Sequence, residues 1–116
     1  TYRLIAQQVV DRLVRHLDLR KAPCRSAQLP LLGPDRVGQF SGIRPPEVIH
    51  EVVRHCCREE WAEHLDDLML RRTGWHYYYK QSDQIAQQAA AWMAEEKGWD
   101  EPRRQEELER YRRLTA

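Results

Sequence analysis

The chain has 116 residues and a mass of 13.9 kDa, enough for one helical core but too few for a dinucleotide-binding domain together with a substrate domain. Hydrophobic residues make up 41% and charged residues 32% of the sequence, which excludes a disordered chain and a membrane span. The 19 lysines and arginines against 18 aspartates and glutamates leave a formal charge of +1, so we expect no nucleic-acid partner.

The first helix is predicted from Tyr2 to about Leu17, because apolar residues recur there with a period of about 3.6. Its predicted apolar face consists of Ala6, Val9, Val10, Leu13, Val14 and Leu17. Residues 18–46 are interrupted by proline or glycine about every ten residues, which predicts a long connecting loop. Five apolar side chains in it favour a strap laid over a partner surface: Leu29, Leu31, Leu32, Val37 and Phe40.

The helical period resumes after Pro45-Pro46 with an apolar set formed by Val48, Ile49, Val52, Val53 and Cys56. A second stripe follows, formed by Trp61, Leu65, Leu68 and Met69, and it ends at Thr73-Gly74, where glycine can adopt a left-handed cap. The pattern does not decide whether residues 48–72 form one helix or two. It favours two helices, with a break near residues 58–63.

Two more helices are predicted at the carboxyl end. Ser82 or Asp83 can cap a helix that Gly98 closes, with apolar residues Ile85, Ala86, Ala89, Ala90, Trp92 and Met93. Asp100 caps the last helix, with Pro102 in its first turn; its apolar stripe is Leu108, Tyr111 and Leu114. No strand alternation is present, so we predict an all-α bundle of about five helices, divided into a first helix (1–17), a loop (18–46) and a helical domain (47–116).

Candidate metal ligands and nucleophiles do not follow recognised spacings. His50, His55 and Cys56 stand at i, i+5 and i+6, which does not place them on one helical face, so with His64 they are interpreted as ordinary helix residues. The three cysteines, Cys24, Cys56 and Cys57, are odd in number and include an adjacent pair. We predict free thiols in a reducing compartment and no disulfide framework.

Two basic clusters are interpreted as structural. Arg71-Arg72 precede the aromatic run 75–79, a combination that can stack nucleobases, but pairing with Asp66 or Asp67 and with the helix dipole is favoured. The charged residues of 103–113 predict a solvated helix face with i, i+4 ion pairs. No nucleotide-binding glycine loop is present, because Gly33, Gly38 and Gly42 do not follow its spacing.

Four segments carry a resemblance to a known family. Residues 1–11 read TYRLIAQQVVD, similar to the end of a Gly-Gly-Lys-x-Thr-Thr-Tyr-Arg motif and its following helix, and residues 23–31 read PCRSAQLPL, similar to a Leu-Pro-Leu-x-Gly loop. Residues 60–73 read EWAEHLDDLMLRRT, similar to a Glu-x-Ala-x-x-Leu-x-Asp-x-Leu-x-Arg-Arg-Thr signature, and residues 94–100 suit the family's final helical pair. The sequence therefore resembles the carboxy-terminal region of FAD-dependent glycerol-3-phosphate dehydrogenases and glycerophosphate oxidases. The aromatic run 75–79 departs from the basic, glycine-containing stretch of that family.

The resemblance implies a parent enzyme that oxidises sn-glycerol 3-phosphate to dihydroxyacetone phosphate, with FAD as cofactor and a quinone or oxygen as electron acceptor. It implies that this chain packs on its own FAD domain, with a homodimer as a further expectation, in a cytoplasmic enzyme or one peripheral to the inner face of a membrane. Thr1 would be a cofactor-binding residue, because it would begin a helix whose amino end faces the flavin. The fragment alone is expected to bind no cofactor and to be inactive. The alternative is a free-standing helical protein–protein interaction module; an initiator Met close to Thr1 would favour it.

Overall fold

A computed structural model describes residues 2–20, 22–29, 32–40 and 44–116. These residues form six α-helices and one π-helix and include no strand, which confirms the predicted all-α class. The helices are α1 (Tyr2–His16), α2 (Pro34–Phe40), α3 (His50–Glu59), the π-helix (Asp67–Arg72), α4 (Trp75–Tyr78), α5 (Ser82–Lys97) and α6 (Glu101–Thr115). None of the helices in this described part is long and apolar enough to cross a membrane.

The chain divides into two compact units, one up to Gly33 and one from Pro34 to Ala116. Each unit is defined by the contacts that its residues make with one another. The domain boundaries expected after residues 17 and 46 stay predictions. The first unit contains α1, in which no residue is buried. The helix is therefore where the period predicts it, but its apolar face remains exposed, with Val9 61% exposed.

Helix α2 lies inside the segment predicted as a connecting loop. Pro34 is its first residue, a position where the missing N–H of proline removes no helical hydrogen bond. At its other end Phe40 packs on the core of the second unit, whereas Val37 is exposed. A helix of only seven residues carries too little periodicity to be distinguished from a proline-rich loop. In the first unit Leu29 is also exposed. Leu31 lies outside the described residues, and the strap over a partner surface stays a prediction.

The core of the second unit is built by α3, α5 and α6 with the π-helix and α4. Helix α3 packs on α5, and α5 packs on α6. Alanines at 86, 89 and 90 are buried and keep side-chain volume small along α5. The largest fully buried side chains include Trp75, Tyr111, Leu65, Leu68, Met69, Met93, Val52 and Val53. The predicted stripes of α3, the 65–69 segment and α5 thus contribute to the core, with Val48, Ile49 and Trp92 partly buried against it.

The predicted break between two helices is present, and it overturns the place given to Trp61. Helix α3 ends at Glu59, and Trp61 has a left-handed backbone with φ of 54° and is 81% exposed. Ala62 occupies the buried position instead, and its N–H donates to the carbonyl of Cys56 at 3.0 Å. Trp61 is not part of the apolar stripe because it lies outside both helices, where the helical period no longer applies.

The helix ends agree with the sequence at three positions and differ at two. Gly74 and Gly98 have φ of 67° and 68°, and the Asp100 carboxylate accepts the N–H of Arg103 at 2.9 Å; these features were predicted. The cap predicted at Ser82 or Asp83 is wrong, because Gln81 occupies the N-cap and makes no side-chain hydrogen bond there. Helix α3 begins at His50, two residues later than the apolar pattern predicted.

Candidate functional site

The Arg-Arg-Thr end of the 60–73 segment closes the π-helix. Both the backbone N–H and the hydroxyl of Thr73 donate to the carbonyl of Leu68, at 3.0 and 2.7 Å. The same hydroxyl oxygen accepts the N–H of Trp75 at 3.3 Å. Thr73 is buried, so its side chain replaces the hydrogen bonds that a wider helical turn leaves unmade at its end.

Asp66 joins this segment to α6. Its side chain is 1% exposed, with one oxygen accepting from Arg71 at 2.5 Å and the other accepting from Arg110 at 2.8 Å. Burial acts to raise the pKa of the Asp66 carboxyl, but the hydrogen bonds and charges of the two arginines outweigh it and hold the pKa below its usual value. The buried charge is therefore fully paired.

Asp67 fixes the turn that leads into the π-helix. One oxygen accepts the backbone N–H groups of Glu63 and His64 at 3.1 and 3.0 Å, and the other accepts from Arg71 at 2.9 Å. The predicted pairing of Arg71 with Asp67 is confirmed. Asp67 therefore satisfies backbone donors at the start of a helix in the manner of a cap.

Glu107 corrects the prediction that the charged face of α6 is solvated. Its side chain is 1% exposed. One oxygen accepts the N–H of Leu65 at 3.0 Å, while the other accepts from His64 Nδ1 at 2.9 Å and from Arg103 at 2.6 Å. The helical spacing of Arg103 and Glu107 suggested an exposed pair, but packing of α6 against the 62–68 segment buries the carboxylate. Leu114, predicted in the apolar stripe of α6, is exposed instead.

His55 lies in a second polar cluster, and its partners define its tautomer. Its Nδ1 is 3.1 Å from a guanidinium nitrogen of Arg36, and its Nε2 is 3.0 Å from a carboxylate oxygen of Glu60. Because a guanidinium only donates, Nδ1 accepts, and the proton is on Nε2, which donates to Glu60. Phe40 stacks on the imidazole with a centroid distance of 4.2 Å. The imidazole is therefore a neutral anchor for α2.

The histidines and Cys56 do not converge. His50 faces Glu96 at 3.2 Å, His55 contacts Glu60, and His64 contacts Glu107. In the ranges that the structure describes, no three histidine, cysteine, aspartate or glutamate side chains form a group suited to a metal ion. Each of these three histidines lies next to a different carboxylate. The interpretation of these histidines and Cys56 as ordinary helix residues stays a prediction.

The thiols differ in their surroundings. Burial raises the pKa of Cys56 to about 12 and the pKa of Cys57 to about 11. Cys24 is exposed, and a hydrogen bond with the Ser26 hydroxyl at 3.2 Å lowers the pKa of its thiol. Both thiols of α3 are therefore poor nucleophiles at neutral pH. None of the three cysteines forms a disulfide in the described chain.

Residues 60–73 and α6 form a structural network of paired charges and hydrogen bonds. The comparison with known families agrees with the resemblance that residues 60–73 carry. The family model described as the C-terminal domain of alpha-glycerophosphate oxidase matches residues 42–104. The chain belongs to this family. No significant match is found among curated proteins or solved structures.

The family region of the C-terminal domain of alpha-glycerophosphate oxidase covers α3, the π-helix, α4, α5 and the start of α6. It therefore includes Asp66, Asp67 and Arg71, whereas α1 lies before it. Thr1, the predicted cofactor-binding residue, lies outside the described residues, so its role stays a prediction.

The aromatic run 75–79 of this family domain is divided between the core and the surface. Trp75 is fully buried, and its indole N–H donates to the carbonyl of Pro46 at 2.8 Å. His76 Nδ1 is 2.7 Å from the hydroxyl of Tyr111. Tyr77 and Tyr78 are exposed. Sequence reasoning missed the contacts of Glu107 with residues 64 and 65 and of Asp66 with Arg110, because they join positions more than 40 residues apart.

Proposed function

We propose that this chain is the C-terminal helical domain of an FAD-dependent enzyme that oxidises sn-glycerol 3-phosphate to dihydroxyacetone phosphate and passes the electrons to a quinone or to oxygen. The observation that carries this proposal is the family match over residues 42–104. The substrate and the cofactor are taken from the glycerophosphate oxidase family. The proposal does not choose between a quinone and oxygen as the electron acceptor.

The described residues do not fit FAD. A dinucleotide site needs a glycine-rich turn between a strand and a long helix. Among the described residues there is no strand, Gly33 precedes the seven-residue α2, Gly38 lies within α2, and Gly74 and Gly98 are at helix ends. We therefore assign no FAD ligand among them and propose that the cofactor is held by the enzyme's own FAD domain. In this proposal the chain has a supporting role, and its paired carboxylates maintain the shape of the domain.

The exposed apolar face of α1 supports the proposal that this helix contacts another protein surface. Six large apolar residues of α1 are more than half exposed: Leu4, Ile5, Val9, Val10, Leu13 and Tyr2. A contiguous apolar surface of this kind is typical of a protein–protein contact. The same observation favours the second candidate function, a free-standing helical interaction module.

The test uses the protein encoded by the complete reading frame that contains this chain. We expect bound flavin, whose absorbance bleaches when glycerol 3-phosphate is added without oxygen and returns with a quinone or with oxygen. A complete protein that carries no flavin, or a flavin that glycerol 3-phosphate does not reduce, would overturn the proposed reaction and favour the interaction module.

The supporting role has a separate test in the same protein. Leu68→Ala should disturb the core of this domain and lower flavin retention, while the turnover per bound flavin stays near that of the parent. Leu114→Ala, at an exposed position, is the matched control. If Leu68→Ala destabilises the domain and flavin retention does not change, the domain does not support the FAD domain.

A further inference from the structure

A groove of about 310 Å³ lies at the end of the π-helix, between that helix and the segment that precedes α3. Its lining includes three arginines, Arg44, Arg71 and Arg72, and a single carboxylate, that of Glu60. Tyr78, whose side chain is exposed, completes the rim. The volume is at the lower end of the range for small-ligand sites.

The three arginines of the groove are not equivalent. Arg71 is bound by both Asp66 and Asp67, so its charge is already neutralised. Arg72 has its Nε 4.0 Å from Glu60, which is the outer limit of an ion pair. Arg44 is exposed and makes no ion pair with any carboxylate side chain that the structure describes. Two guanidinium groups of this groove therefore have unused donors.

Glu60 cannot neutralise both of these groups. One of its oxygens already accepts from His55 at 3.0 Å, and the other is 4.0 Å from the Nε of Arg72. Together Arg44, Arg72 and Glu60 carry one net positive charge, and the third arginine of the groove, Arg71, is already paired with Asp66 and Asp67. A concave surface with this excess attracts anions, and guanidinium groups present several N–H donors in a fixed fork that suits phosphate oxygens.

We propose that this groove binds a phosphate group through Arg44 and Arg72, with the Tyr78 hydroxyl as an additional donor. Phosphate is favoured over a carboxylate because it offers acceptor oxygens in several directions, and the donors lie on separate segments: one before α3, one at the end of the π-helix and one in α4. A phosphomonoester carries a charge of about −1.5 to −2 at neutral pH, so it is attracted by the net positive charge that remains in the groove when Glu60 is counted against Arg44 and Arg72. The phosphate could belong to a soluble phosphomonoester or to an anionic phospholipid headgroup.

The test is an NMR titration of the full chain with inorganic phosphate at constant ionic strength, with chloride as the reference anion. We expect saturable shifts of the backbone amides of residues 70–74 and of the Arg72 side-chain N–H. Arg44→Gln and Arg72→Gln should each weaken binding about tenfold, since a hydrogen bond to a charged group is worth roughly that factor or more. Arg112→Gln, an exposed arginine of α6 outside the groove, should leave the titration unchanged.

A second arm separates the two sources of phosphate. Vesicles of phosphatidylcholine with and without phosphatidylglycerol are mixed with the chain and sedimented. Saturable phosphate shifts without cosedimentation would assign a soluble ligand, and cosedimentation that requires phosphatidylglycerol and Arg44 would assign a headgroup. The proposal is overturned if neither probe binds, or if Arg44→Gln combined with Arg72→Gln binds both probes as well as the parent chain while giving an unaltered amide spectrum elsewhere.

Discussion

Glu107 accepts the backbone N–H of Leu65 at 3.0 Å, although 42 residues separate them. This hydrogen bond ties the middle of α6 to the segment before the π-helix, with His64 and Arg103 on the other carboxylate oxygen. A backbone donor in the core and two side-chain donors therefore depend on one buried acceptor.

Replacement of Glu107 by alanine should lower the free energy of unfolding by about 3–5 kcal/mol, because it leaves the Leu65 N–H unsatisfied and two cationic or polar partners without their acceptor. Urea unfolding measures this change. Glu109→Ala, on an exposed position of the same helix, should change stability by less than about 0.5 kcal/mol. Equal effects of the two substitutions would contradict the buried role of Glu107.

Leu68→Ala should lower stability by about 2–5 kcal/mol, since Leu68 is completely buried and truncation leaves a cavity. Leu114→Ala removes the same side chain from a position that is 54% exposed, and its effect should be within about 0.5 kcal/mol. Thermal or urea unfolding of the two variants measures the effect of burial, because the same leucine-to-alanine change is made at a buried and at an exposed position. A small effect for Leu68→Ala would mean that the packed face of this segment is assigned incorrectly.

The Asp66 cluster predicts a specific acid sensitivity. Because the pKa of Asp66 is lower in the folded chain than in the unfolded chain, its stabilisation is complete above the unfolded value of about 4 and is lost as the pH falls through the folded value. Asp66→Asn should reduce stability by about 1–3 kcal/mol at neutral pH. The difference between the two proteins should shrink as the pH falls below about 4, measured by urea unfolding at each pH. A difference that grows on acidification would contradict this assignment.

The thiols should react at very different rates. Burial raises the pKa of Cys56 to about 12 and of Cys57 to about 11, whereas the pKa of the exposed Cys24 is lowered by its bond to Ser26. A thiol-disulfide reagent at neutral pH should therefore modify one thiol rapidly in the folded chain and all three after denaturation. Cys24→Ser should remove the rapid phase. A rapid phase that persists in this variant would place a reactive thiol on α3.

The neutral tautomer of His55 can be observed directly. With Arg36 donating to Nδ1 and Nε2 donating to Glu60, nitrogen NMR at neutral pH should show the proton on Nε2. Glu60→Gln keeps an acceptor and should preserve this tautomer. Arg36→Leu removes the donor to Nδ1, so it should allow the other tautomer and weaken the packing of Phe40 on His55. Observation of the proton on Nδ1 in the parent chain would rule out the contact with Arg36.

The sequence by itself determined the features that depend on neighbours along the chain. The helical period identified α1, α5 and α6, and it located the buried positions at Val52, Leu65 and Leu68. Glycine was expected at the left-handed ends of helices, and Asp100 was expected as a cap, because these preferences arise within one turn of backbone. The 60–73 segment also indicated the family, which the match over residues 42–104 confirms.

Only the tertiary structure decided which charged side chains are buried and which apolar ones are exposed. The burial of Glu107 and the bridge from Asp66 to Arg110 depend on how α6 packs against a segment more than 40 residues earlier, and no local spacing encodes that contact. Trp61 is exposed because the chain leaves the helical path after Glu59. The apolar face of α1 has the period of a buried helix but remains exposed, since periodicity specifies a face to be covered and packing alone determines what covers it.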